Sequence, residues 1–168
     1  MSAERKGPFT FAGTGDDFQK LVRSEDEVGY SVTHVQRRRY RKKPPCVKAP
    51  ADVYKLMHER TRNLDREHFF ALYLTTKNTV LSIELVSIGS LNASIVHPRE
   101  ILKPAIAVSA ASIILVHNHP TGDPTPSRED IEFTRRFAKC GELIGIELLD
   151  HIVMGDGRFQ SLKEAGYF

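Results

Sequence analysis

From residue 50 onward the apolar positions fall into runs with two different periods. Ala51, Val53, Tyr54, Met57 and His58 recur at helical spacing and predict an amphipathic helix over residues 50–62. Residues 67–76 are aromatic-rich and strand-like, Lys77 and Asn78 read as a turn, and residues 79–88 form a second strand, giving a hairpin. Residues 93–96 predict a short extended piece. Pro98 suits the first position of a helix and Glu100 its first turn, where the helix dipole favours a carboxylate. This helix is expected to reach about Ser109, with Pro104 marking a kink or early stop. Residues 111–116 (Ala-Ser-Ile-Ile-Leu-Val) are continuously apolar, the pattern of a strand buried on both faces. A loop with three prolines follows over residues 120–126. Ser127 then caps a helix expected to run to about Lys139, with Asp130 in place of the usual capping-box Glu and with Ile131, Phe133, Phe137 and Cys140 inward. Residues 144–149 and 151–154 predict strands, and Gly155-Asp156-Gly157 a tight turn into residues 159–161. No internal repeat is visible. The mixture of helices and strands, without strict alternation, predicts an α/β (mixed) domain around one curved sheet flanked by helices.

The N-terminal stretch differs. Residues 1–30 hold no sustained period, apart from one possible helical turn at Phe18, Leu21 and Val22, and residues 31–36 alternate as a short strand would. Arg37, Arg38, Arg39, Arg41, Lys42 and Lys43 follow, with Pro44 and Pro45 as a boundary. The expected organisation is a flexible, mostly disordered basic arm over residues 1–45 and one compact domain over residues 46–168. A chain of 168 residues suits a single domain. Hydrophobic residues at 40% and charged residues at 27% fit a soluble globular class. No apolar run reaches the ~18 residues of a membrane span. With no signal-peptide pattern at the start and only Cys46 and Cys140, a cytoplasmic location is expected. The net charge of +3 is unevenly spread. Residues 1–48 hold 11 Lys+Arg against 6 Asp+Glu, whereas the remainder holds 13 against 15. The cationic run is a candidate contact for nucleic-acid phosphates, and equally has the composition of a solvated linker.

Chemistry concentrates where the most apolar strand ends. In a strand, residues i and i+2 share a face, so His117 and His119 project together. Pro120 stops the strand, and ten residues separate His119 from Asp130 in the first turn of the next helix. Two imidazoles and a carboxylate can fill three positions of a tetrahedral zinc site, leaving the fourth for water, as in catalytic sites. Asp130 and Ser127 also have an ordinary explanation as helix-start residues.

The segment His117-x-His119-Pro120, six residues, Ser127-x-x-Asp130 resembles the JAMM motif of the JAB1/MPN (cytidine-deaminase-like) metalloprotease fold. The wording His-Asn-His-Pro-x-Gly-Asp-Pro-x-Pro-Ser resembles the bacterial RadC-like branch, long labelled as DNA repair proteins. So do residues 94–100 at the approach and residues 148–155 at the exit. Residues 1–45 do not resemble the helix-hairpin-helix region of longer members. The resemblance covers about residues 50–168. It implies that His117, His119 and Asp130 bind one zinc ion (Zn2+) per chain and that Ser127 helps hold a tetrahedral intermediate. It also implies that Glu67, at the start of the first strand, acts as general base and acid on the attacking water. A carboxylate beside a water of lowered pKa is sound chemistry for that task. Glu84 and Glu100 compete for it.

Other residues read as structural: His97 before Pro98, Asp150 and His151 on opposite faces of one strand, and Cys140 near a helix end. Asn118 is expected to face away from the metal. The implied function is a zinc-dependent hydrolase, a metallopeptidase or isopeptidase acting on a protein or peptide substrate. The alternatives are a metal-dependent nuclease or DNA-repair-associated DNA-binding protein, and a non-catalytic MPN scaffold.

Overall fold

The computed structural model describes residues 44–89 and 96–168. Residues 1–43 of the expected 1–45 arm, with its cationic run, and residues 93–95 of the extended piece expected at 93–96 lie outside the described residues.

Strands β1 (His68–Leu74), β2 (Val80–Ile88), β3 (Ser112–Asn118), β4 (Glu147–Met154) and β5 (Phe159–Ser161) form one mixed sheet in the order β2-β1-β3-β4-β5. β1 runs antiparallel to both β2 and β3, β3 parallel to β4, and β4 antiparallel to β5. The parallel step needs a crossover, supplied by the 120–126 loop and helix α3 (Arg128–Ile144). Helix α1 (Pro50–Thr61) precedes the sheet and helix α2 (Pro98–Ala107) lies between β2 and β3. The expected α/β class, mixed sheet and flanking helices are all present.

Alternation along the central strands divides the core in two. Phe69, Ala71, Tyr73, Ile113 and Leu115 pack with Ile101, Leu102 and Ala105 of α2 and Phe133 and Phe137 of α3. Phe70, Leu72, Leu74, Ile114 and Val116 face the other way, with Val53 and Met57 of α1. β1 and β3 are buried on both faces, which is why the apolar run near residue 113 has no polar alternation.

β3 runs on through the apolar stretch to Asn118 and ends just before His119 and Pro120, as expected. Two expected boundaries change. α3 does not stop at Lys139 but reaches Ile144, ending at Gly145 in the left-handed conformation (φ 78°). Gly141 is an interior helix residue, and a Cβ there would meet Ile146 O at 2.4 Å, so the helix packs its backbone against the entry to β4. The two short strands expected at 144–149 and 151–154 are one strand, β4, interrupted in register: Ile113 pairs with Leu148, but Ile114 pairs with Asp150. Leu149 is therefore an extra residue on β4, as in a β-bulge.

Candidate metal centre

His117 continues the face of β3 that carries Ile113 and Leu115. Its fully buried ring stacks on Phe69 of β1 at 5.9 Å between centroids, and Phe69 meets Phe133 of α3 edge-on at 5.6 Å. His119 lies just past the strand end, where its N–H still donates to Met154 O (2.9 Å). The chain then turns, with Gly122 N donating to His119 O, and Asp123 O comes to 2.8 Å from His119 Nδ1. A carbonyl oxygen only accepts, so His119 Nδ1 carries a hydrogen and, in the neutral ring, Nε2 keeps its lone pair. The loop is seated on Gly155, where a Cβ would meet Gly122 O at 2.5 Å and Pro124 Cδ at 2.8 Å.

Asp130 occupies the third position of α3 in a reciprocal capping box with Ser127. Ser127 Oγ accepts from Asp130 N (3.1 Å), while Ser127 N and Oγ both donate to Asp130 Oδ2 (2.7 Å each). Ser127 thus orients the carboxylate, and its own proton is committed to it.

The three side chains converge. His117 Nε2 and His119 Nε2 are 3.0 Å apart; Asp130 Oδ1 lies 3.5 Å from the first and Oδ2 3.6 Å from the second. Ligands about 2 Å from one ion at tetrahedral angles stand roughly 3.3 Å apart, so the spacing suits a small dication. The donor set of two imidazole nitrogens and a carboxylate suits it too, and this group could hold a metal ion. His117 and Asp130 side chains are 0% and 3% exposed, His119 14%, so the cluster opens to solvent on the His119 side. Burial alone would raise the Asp130 pKa, but the imidazoles of His117 and His119 and the Ser127 hydroxyl hold it well below the carboxylate range. The same contact with Asp130, aided by Asp123 O and Glu67, raises the His119 pKa against the opposing effect of burial.

Glu67 immediately precedes β1 and is half-buried. Phe69 is the first residue of β1 paired with β3, opposite His117, and Glu67, two residues before it, is near enough for its charge to help raise the His119 pKa. The other glutamates lie elsewhere. Glu84 pairs with Ala71 on edge strand β2, with burial raising its pKa, and exposed Glu100 is bonded to Arg99 Nε at 3.0 Å. Asn118 faces away from the cluster, as expected. Its Oδ1 accepts from His68 N (2.8 Å) and its Nδ2 donates to Arg66 O (2.9 Å). His97 is the N-cap of α2 without a side-chain capping bond, and half-buried Cys140 packs against the core.

One expectation needs correction. Asp150 and His151 do point apart, but only Asp150 is remote from the cluster, bonded to Ser161 Oγ and the N–H groups of His151 and Lys163. His151 lies against the cluster, with Nε2 at 2.8 Å from His117 Nδ1 and Nδ1 at 2.6 Å from Thr134 Oγ1. Burial first, and then the neighbouring His117, hold its pKa well below the usual histidine value. Neither His151 nor Thr134 stood out as a site residue in the sequence. The only available signal was a histidine in an apolar strand, which has no meaning until that strand is known to lie beside β3.

A family model for the RadC-like JAB domain matches residues 47–167, which include every residue of this cluster. The chain belongs to the RadC-like JAB family. A UPF0758 protein of Geobacillus sp. (strain WCH70) is 62% identical over 121 residues, 72% of this chain and 54% of the relative. A UPF0758 protein of Bacillus velezensis is 63% identical over 121 residues, 72% of this chain and 52% of the relative. One from the archaeon Methanosarcina acetivorans is 59% identical over 119 residues, 71% and 52% of the two chains. The chain thus spans about half the length of the curated relatives it matches. Among the described residues of this RadC-like JAB domain, no helix is long and apolar enough to cross a membrane.

Proposed function

We propose that the domain is a zinc-dependent hydrolase that cleaves amide bonds, peptide or isopeptide, in a protein substrate. The observation that carries this reading is the convergence of His117, His119 and Asp130 into one cluster that opens to solvent at His119, with the charge of Glu67 near enough to help raise the His119 pKa. When bound, zinc polarises a carbonyl and lowers the pKa of water toward ~7. His117 and His119 supply neutral nitrogens, and Asp130 supplies the one charged ligand, fixed by Ser127. Glu67 takes the proton of the attacking water and delivers it to the leaving amine. Ser127 holds Asp130 in the resting site, and in turnover its hydroxyl proton turns from that carboxylate to the oxygen of the tetrahedral intermediate.

The test pairs metal analysis with hydrolysis of peptide and isopeptide-linked substrates by the purified protein. Stoichiometric zinc with turnover supports the proposal. Stoichiometric zinc without turnover on either substrate favours a scaffold. The six cations within residues 37–43 favour a second reading, contact with nucleic acid. Cleavage of DNA but not of amides, with binding that weakens steeply as salt rises, would place that reading first.

A further inference from the structure

A hydrogen-bonded path runs behind His117, on the side turned away from the metal cluster. His117 Nδ1 lies 2.8 Å from His151 Nε2, His151 Nδ1 lies 2.6 Å from Thr134 Oγ1, and Thr134 Oγ1 lies 2.6 Å from the main-chain oxygen of Asp130. His117, His151 and Thr134 are all fully buried, at 0% exposure. The path therefore starts at one cluster residue and ends on the backbone of another.

Its direction is fixed from the far end. The Asp130 carbonyl only accepts, so the single Thr134 hydroxyl hydrogen points to it, the usual back-bond of a helical threonine to residue i−4. The Thr134 oxygen then offers His151 only a lone pair, so His151 Nδ1 donates. An imidazolium would be unsolvated at this depth, so His151 carries that one hydrogen and its Nε2 accepts. The remaining hydrogen of the path belongs to His117 Nδ1, and His117 Nε2 presents a bare lone pair toward His119 and Asp130.

We propose that Thr134 and His151 are positioning residues that lock His117 into the tautomer with Nε2 as metal donor and tie its ring to the backbone of Asp130. The proposal rests on the metal-centre reading above. In most metal sites the outer nitrogen of a ligating histidine meets a carboxylate, a carbonyl or water. Here the partner is a second neutral imidazole, which accepts only while Thr134 directs its hydrogen elsewhere.

The test measures two things on each variant: the histidine ring-nitrogen NMR signals of the metal-free protein, and zinc affinity in competition with a chromophoric chelator. The parent should show His117 with Nδ1 protonated and Nε2 bare. Thr134→Val keeps the shape and removes the hydroxyl; His117 should lose its single tautomer and zinc affinity should fall about 10- to 100-fold. Thr134→Ser should restore both. Thr134→Val with the parent's signals and affinity overturns the relay, as does a parent with His117 protonated on Nε2. A Thr134-dependent tautomer in a protein that takes up no zinc leaves the relay standing and removes the metal reading. Should Thr134→Val not fold, His151→Gln, whose amide oxygen still accepts from His117, is compared with His151→Leu. Gln retaining the tautomer and Leu losing it supports the relay; equal behaviour of the two overturns it.

Discussion

Asn118 holds the peptide groups on both sides of Glu67. Its amide accepts from His68 N and donates to Arg66 O, across the gap between β3 and the entry to β1. The residue between His117 and His119 thus faces away from the cluster and still acts on it, by fixing the backbone from which Glu67 projects. Asn118→Ala leaves a partly buried donor and acceptor unpaired, a cost of about 1–3 kcal/mol. A lowered Tm is expected, with zinc content unchanged and turnover reduced. An unaltered melting curve would show that water replaces the amide without loss.

His117→Ala and Asp130→Ala should each abolish stoichiometric zinc. Each removes one of the three proposed donors that converge among the described residues, and Asp130→Ala also breaks the capping box of α3, so its Tm should fall by more than the loss of metal explains. Elemental analysis and calorimetry of the two variants check this. Retention of the parent's zinc by both would dismiss the ligand assignment.

Glu67→Gln should separate binding from chemistry. It keeps size and removes the base, so zinc content should match the parent while turnover falls by roughly 100-fold or more. Loss of zinc would instead make Glu67 part of the metal's own shell. Undiminished turnover would move the search to Glu84, since Glu100 is exposed and engaged with Arg99.

The raised His119 pKa has a definite sign in two measurements. A proton must leave His119 before zinc binds, so affinity should begin to fall at a pH above the ordinary histidine value of about 6.5 as the solution is acidified. Calorimetry in buffers of different ionisation enthalpy should detect the released proton. In the metal-free protein, a folded pKa above the unfolded one stabilises fully below about pH 6.5, and the effect is lost as pH rises through the folded value. The stability gap between the parent and His119→Gln should therefore be wider at low than at high pH, once metal is chelated. A gap that widens with rising pH would contradict the contact with Asp130.

What the sequence made legible was local. Apolar period and turn residues located α1, the β1–β2 hairpin and the buried strand. The i, i+2 rule put His117 and His119 on one face, and the loop length brought Asp130 back to them. What it left hidden needed strand neighbours. α3 reads as ending near Lys139, yet Gly141 stays helical and admits the backbone at Ile146. His151 reads as an ordinary core histidine because its role depends on β4 lying parallel to β3, which brings it to His117, 34 residues earlier in the chain.

The extra residue Leu149 decides which of two adjacent side chains lies behind His117. With uninterrupted pairing from Ile113 and Leu148, Asp150 would stand beside Leu115 on the cluster's face and His151 would turn toward α1. The bulge exchanges them. The difference is one of charge: on the proposed metal reading, a dication held by two neutral imidazoles and one carboxylate would retain a single positive charge, which a carboxylate behind His117 would cancel. The bulge keeps Asp150 on Ser161 and the backbone at Lys163 and puts the neutral ring of His151 behind His117 instead.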